Sequence, residues 1–175
     1  MAGRRAAARA VAALAGAGGA AGSRGSSPSW PPGLVGSISH AAGWAAAVVA
    51  RSEVHRAVGL DLEVSGALPA DDAVAVCSAI ERTVLSRHAV GRERDAAATL
   101  HWAAKEAAFK AWDPRCGGAL QGVDPALLAV AFGADGTATA LPAPELAVLL
   151  PDLPPLSGRW ADAGGFVIVV LSAQG

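Results

Sequence analysis

Hydrophobic residues recur along this chain with two distinct periods. Between Asp71 and His88, apolar Ala73, Val74, Cys77, Ile80, Val84 and Leu85 return at helical intervals, which gathers them on one face. Asp71 and Asp72 suit the positive end of that helix. A second, longer helix is predicted from Asp95 to Trp112 and ends at Asp113-Pro114. Arg4 to Leu14 reads as a short Ala-rich helix, stopped by the Gly-rich run from Gly16 to Gly25. Short apolar runs bounded by Gly and Pro read instead as strands. They are a strand end at Ser37–His40, a buried strand at Gly43–Ala50, then 58–64, 127–132, 137–141 and 166–171. Residues 22–36, with Ser26-Ser27-Pro28-Ser29-Trp30-Pro31-Pro32-Gly33, read as a loop. Helices and short strands alternate with no clear linker, which predicts one α+β domain over residues 1–175.

Composition narrows the class. A chain of 175 residues, 53% hydrophobic and 17% charged, suits a compact globular protein. Its Ala-rich runs are broken by Arg, Gly or Pro before reaching the ~20 apolar residues of a bilayer span, so no membrane association is expected. Cys77 and Cys116 are too few for a disulfide framework or zinc site, which fits a cytoplasmic setting.

Charge is unevenly spread. Residues 1–52 hold five Arg and no acid, whereas all 15 acids lie beyond them. The N-terminal third is thus a source of positive potential for an anionic ligand. Arg4-Arg5 before an Ala-rich run also imitates a targeting segment, though Gly dilutes the apolar stretch. Nucleic acid is not the expected partner, since the arginines lack interleaved aromatics.

The candidate chemistry sits in two stretches. In Val58-Gly59-Leu60-Asp61-Leu62-Glu63, two acids alternate with apolar residues, so both carboxylates leave one strand face. Their repulsion is relieved by a divalent cation, and Mg2+ commonly takes one or two carboxylates plus phosphate oxygens; a solvated strand edge is the plainer alternative. The only two lysines of the chain, Lys105 and Lys110, lie in His101-Trp102-Ala-Ala-Lys105-Glu106-Ala-Ala-Phe109-Lys110-Ala-Trp112. Glu106 and Lys110 share a helix face, as a simple ion pair would. Flanking Trp102, Phe109 and Trp112 suggest partial burial, and a third carboxylate beside two ammonium groups suits a metal-bound pyrophosphate. His40 follows two hydroxyl residues in Gly36-Ser37-Ile38-Ser39-His40, where an anion can approach backbone and imidazole. No Walker-type phosphate loop is present, which argues against other phosphate-transfer classes.

In order and spacing, Trp30-Pro31-Pro32-Gly33 before Gly36-Ser37-Ile38-Ser39-His40, then Gly59-Leu60-Asp61-Leu62-Glu63, then Trp102 to Trp112 resemble the 4'-phosphopantetheinyl transferase family. The branch is that of the bacterial siderophore-synthase and surfactin-synthase activators. The resemblance implies two similar α/β halves, roughly residues 1–64 and 65–175, about a pseudo-two-fold axis with the ligand cleft between them. It also implies a chain shortened at its start, since Met1 lies almost on the Arg5 helix.

The activity implied is transfer of the phosphopantetheine arm of coenzyme A to a serine of an acyl- or peptidyl-carrier protein, in siderophore, polyketide or nonribosomal peptide biosynthesis. It would be Mg2+-dependent, release 3',5'-ADP and be of the holo-[acyl-carrier-protein] synthase type. By the same resemblance Asp61, Glu63 and Glu106 would bind Mg2+, and Glu106 would help deprotonate the serine. Lys105 and Lys110 would neutralise phosphate charge, with Lys110 also catalytic. Arg5 and His40 would contact the 3'-phosphate of the coenzyme, and Glu81 matches an accompanying acid. The alternative is a truncated or non-catalytic relative that binds coenzyme A or carrier protein without turnover.

Overall fold

The computed structural model describes residues 2–15, 22–24 and 27–175. Most of the Gly-rich run expected to stop the first helix, and Ser26, lie outside them. Helix α1 (Ala2–Ala15) forms from residues of high helix propensity and buries Ala7 and Val11, one turn apart. The segment expected to be a loop contains a small hairpin, β1 (Gly22–Arg24) with β2 (Ser27–Ser29). Pro28 is tolerated there because β2 has a pairing partner on one side only.

Strands β3 (Leu34–Ala41) and β4 (Trp44–Arg51) then form a hairpin closed by Ala42 and Gly43. Both turn residues have positive φ, 44° and 83°, the turn whose twist matches that of the strands. β4, expected to be buried, is only half-buried and leaves Trp44 67% exposed. β5 (His55–Val64) lies next in sequence and packs beside β3.

The stretch 71–88, expected as one helix, is broken. A 3-10 turn covers Asp72–Ala75, and α2 begins only at Ala79 and runs to Leu85. The cause is Ser78, whose hydroxyl accepts from the Glu81 amide while the Glu81 carboxylate accepts from the Ser78 amide. This reciprocal cap starts a new helix. Helix α3 (Arg92–Trp112) follows, then β6 (Leu128–Phe132), β7 (Thr137–Pro142), α4 (Pro144–Leu149), β8 (Leu156–Ala163) and β9 (Phe166–Gln174). The apolar pattern of the sequence predicts neither α4 nor β8. Gly158 and the flanking prolines 154 and 155 blur the alternation of β8, and α4 has only six residues.

β5 joins the last four strands in an antiparallel sheet of order β5-β9-β8-β7-β6. Helix α3 crosses one face of it. Ala103, Ala104, Ala107, Ala108 and Ala111 are buried against Val167, Val169, Leu171 and Ala173 of β9. Small side chains let the helix sit close, and at Gly59 the fit is closest. A Cβ there would stand 1.8 Å from the Ala107 carbonyl oxygen, so only glycine fits. At the helix end, Trp112 is fully buried and donates its indole N–H to the Pro154 carbonyl at 2.8 Å. The result is an α+β fold in which β3, β5 and the C-terminal half of α3 meet along one line.

Candidate active site

That meeting line brings four of the expected residues together. Gly59, Asp61 and Glu63 alternate on the β5 face that packs on α3, and the close approach at Gly59 sets the helix height. Lys110 Nζ therefore reaches Asp61 and donates to Oδ1 at 2.5 Å. Ser39 on β3 donates its hydroxyl to the same oxygen at 2.8 Å and lies 3.4 Å from Lys110 Nζ. Glu106, one turn before Lys110, holds Oε2 at 3.9 Å from the ammonium. Ser39 and Asp61 are buried, while Glu63, Glu106 and Lys110 are partly open.

The charges do not balance. Three carboxylates face one ammonium, which leaves two negative charges in a partly dry place. Burial pushes the Glu63 carboxyl above the usual range, and the Asp61 charge adds to the shift. Lys110 and Trp102 pull it back, and Glu106 pushes it further. Glu106 is likewise raised, chiefly by burial and also by Asp61, against the opposing pull of Lys110. A carboxyl raised in this way holds its proton more readily than a free one.

A divalent cation fits this group by charge. It also fits one atom, because Asp61 Oδ2 is buried and has no hydrogen-bond partner among the described residues. A buried carboxylate oxygen left bare is costly. Among the described residues, no three His, Cys, Asp or Glu side chains are already drawn round one point as an ion requires. Lys110 stands on Asp61 Oδ1 in their place.

Beside Lys110 opens a cleft of about 620 Å3, lined by Trp30, Ser37 and Ile38 from one side and by Arg56, Phe109 and Arg115 from the other. Arg56, Arg115 and Lys110 against one acid, Asp113, leave its lining net positive, which suits an anionic ligand.

The remaining expected residues lie elsewhere. Lys105 was expected to meet phosphate, but it is 1% exposed. Its Nζ donates to Glu81 Oε1 at 3.0 Å and to the carbonyls of Pro125 at 3.0 Å and Leu128 at 2.6 Å. An ammonium has three N–H donors, and these contacts use all of them. Five residues also turn a helix by about 140° beyond one full turn, which points Lys105 away from Lys110. Glu81 is its counterpart, a buried carboxylate that also accepts from the Val130 amide at 3.0 Å. Burial pushes Glu81 up, yet Lys105 and the Val130 and Ser78 amides outweigh it and hold the carboxyl below its usual range. Together they join α2, α3 and β6. His40 is exposed, one residue beyond Ser39, and Arg5 is exposed in the first turns of α1. Neither has a hydrogen bond or ion pair to the four clustered residues among those described. Ser39 and Trp102 have no role that the sequence alone assigns. The signal for Ser39 was its alternation with Ser37 on one strand, where both hydroxyls are buried.

Comparisons with known proteins place the chain in a family. The family model of the 4'-phosphopantetheinyl transferase N-terminal domain matches residues 1–50, and that of the 4'-phosphopantetheinyl transferase superfamily matches residues 57–148. The 4'-phosphopantetheinyl transferase Svp of Streptomyces mobaraensis is 38% identical over 150 residues, covering 82% of this chain and 58% of the relative. PptT of Mycobacterium tuberculosis, of the same description, is 40% identical over 90 residues, covering 49% of this chain and 37% of the relative. The chain therefore spans 58% and 37% of the lengths of these curated relatives. In fold it is similar to the apo ACPS of Chronobacterium ammoniagenes, with 24% identity and a TM-score of 0.53 over 67% of this chain and 96% of that one. The ACPS–CoA complex gives the same TM-score at 23% identity over 68% of this chain and 97% of that one. No described helix is long and apolar enough to cross a membrane. The two blocks that carry Asp61, Glu106 and Lys110, and the one that carries Ser39, thus lie within matched segments, and the chain belongs to the 4'-phosphopantetheinyl transferase superfamily.

Proposed function

We propose that this chain transfers the 4'-phosphopantetheine arm of coenzyme A to a serine hydroxyl of an acyl- or peptidyl-carrier protein, releasing 3',5'-ADP. The observation that carries the reading is the convergence of Asp61, Glu63, Glu106 and Lys110 beside a positively lined cleft. Family membership and the coenzyme A complex of the similar ACPS support it.

Asp61, Glu63 and Glu106 would hold Mg2+, with the bare Asp61 Oδ2 as its first oxygen. When bound, that ion supplies positive charge to the pyrophosphate oxygens. Glu106 accepts the serine proton, directly or through one water. The serine oxygen then forms a bond to the phosphorus carrying the pantetheine arm, and the bond from that phosphorus to the ADP oxygen breaks. Lys110 donates N–H to the pyrophosphate as negative charge grows on the leaving oxygen. Arg5 and His40 are proposed as contacts for the 3'-phosphate and act at the edge of the site. Lys105 holds α3 in place and touches no substrate. The cytoplasm, where coenzyme A and apo-carrier proteins meet, is the proposed setting.

The test incubates purified protein, Mg2+, coenzyme A and a panel of apo-carrier proteins and reads the phosphopantetheine mass increase on the carrier. Asp61→Asn is expected to abolish transfer with its circular dichroism spectrum intact. Lys110→Ala is expected to lower kcat by about a hundredfold or more. Full turnover in either variant, or in excess EDTA, removes the assignment. Coenzyme A binding with no carrier modified marks a non-catalytic relative instead.

A further inference from the structure

A second opening, of about 630 Å3, shares no lining residue with the cleft at Lys110. It lies between α2, the first half of α3 and strands β6, β8 and β9. Its size is that of a small-molecule site, roughly 300–1,000 Å3. Leu100, Val130 and Val167 form its apolar walls. A row of rings lines one side: His101 meets Phe132 edge-on at 5.0 Å, and Phe132 meets Trp160 edge-on at 6.2 Å. Such a wall takes the flat body of an aromatic molecule, and the faces of Phe and Trp rings attract cations.

The charge on the wall has one sign. Glu81, Glu93 and Asp162 line the opening, and no Arg or Lys does among the described residues. Glu81 is balanced by Lys105 at 2.9 Å. Asp162 meets only a neutral hydroxyl, that of Ser65 at 2.8 Å, and Glu93 meets only His88, at 3.2 Å. Above the ordinary imidazole value of about 6.5, two negative charges therefore stand at the opening with no cation against them. The cleft at Lys110, whose lining is net positive, has the opposite potential. An anion is repelled from the second opening and a cation is drawn to it.

The hydrogen-bonding atoms select in the same direction, because those left open accept. Glu93 Oε2 and Asp162 Oδ1 have no partner among the described residues. His101 also lines the opening and is 4% exposed, with Nδ1 at 2.9 Å from the Ala97 carbonyl. A carbonyl only accepts, so the proton sits on Nδ1 and Nε2 keeps its lone pair. Burial pushes the imidazole below its usual range and keeps it neutral. Nε2 has no partner among the described residues and, unlike the sealed Trp160 indole nitrogen, keeps some exposed surface.

We propose that this opening binds a flat aromatic cation, its ring against Phe132 and Trp160, its charge met by Glu93 and Asp162, and an N–H offered to His101 Nε2. The site stands apart from the proposed transfer chemistry, and its test does not use that activity. The probe is 4-aminoquinoline, a flat bicycle protonated on its ring nitrogen at about pH 8, where ordinary imidazoles are neutral. The control is 1-naphthylamine, of the same shape and uncharged. Calorimetry reads affinity, and assigned methyl signals in NMR read position.

The cation is expected to bind with Kd below about 1 mM, at least about tenfold more tightly than 1-naphthylamine. The methyl signals of Leu100, Val130 and Val167 should move saturably, while those of Val35 and Ile38 in the other cleft stay in place. Glu93 and Asp162 are exposed, so the double variant Glu93→Gln with Asp162→Asn is expected to fold. It should cut the preference for the cation by about threefold or more. Equal affinity for the two probes, movement of Val35 and Ile38 instead, or an undiminished preference in the double variant overturns the proposal.

Discussion

Replacing Lys105 by Ala separates two roles that the sequence alone leaves merged. Were its ammonium bound to phosphate, Lys105→Ala would slow transfer and leave stability nearly unchanged. The structure dictates the opposite. The substitution strips Glu81 of its charged partner while the carboxylate stays buried, and it orphans the carbonyls of Pro125 and Leu128. Breaking a buried ion pair from one side costs about 3–5 kcal/mol. In a chain of this length each kcal/mol moves Tm by roughly 2–4 °C, so a fall of about 6–20 °C is expected. Urea unfolding and a thermal scan measure it directly. Below the lowered Tm, coenzyme A affinity by calorimetry should stay close to that of the unaltered protein. The double variant Glu81→Gln with Lys105→Met removes the stranded charge and should recover part of the lost stability. An unchanged Tm with transfer lost would show that Lys105 faces the ligand after all.

Two further predictions concern the buried carboxylates and the seat of α3 on β5. Glu63 and Glu106 have folded pKa values raised above the ordinary 4.5, so their ionisation favours unfolding. The stability they contribute is full below about 4.5 and is lost as pH rises through their folded values. Glu106→Gln should therefore raise the urea midpoint of metal-free protein at pH 7, by an amount that shrinks toward pH 4.5; an equal change at both pH values would refute the shift. Glu81 has the opposite sign, since its folded value is lowered and its contribution is lost as pH falls through it. Gly59→Ala drives a methyl into the Ala107 carbonyl and should cost about 1–3 kcal/mol. Because α3 must retreat, Lys110 withdraws from Asp61 and transfer should fall more than stability; a variant with unaltered rate at lowered Tm would break that link.

The elements that the sequence made legible are those whose pattern has one cause. Helix α3 is readable because it is rich in Ala and other good helix formers and is closed by Asp113-Pro114. Asp61 and Glu63 are readable because strand alternation leaves them a single shared side. The break at Ser78 was hidden, because the apolar spacing continues across it while a side-chain cap resets the helix axis. β8 was hidden because its inward positions include Gly158, where a Cβ would stand 1.9 Å from the Val170 carbonyl oxygen, so packing has erased the apolar signal. Lys105 looked like Lys110 by residue type, and the helical angle between them held the distinction.

Under the proposed function, the contact between Lys110 and Asp61 would link the binding of metal to that of phosphate. A cation held at Asp61, as proposed above, would compete with the Lys110 ammonium for the charge of that carboxylate. The lysine so released is on α3 beside the cleft, at the place where an incoming pyrophosphate needs a counter-charge. One internal ion pair would thus act as a placeholder for two external ones, and the arrival of metal and that of phosphate would become coupled events. A cation alone or a pyrophosphate alone would each have to break the pair without the other's help.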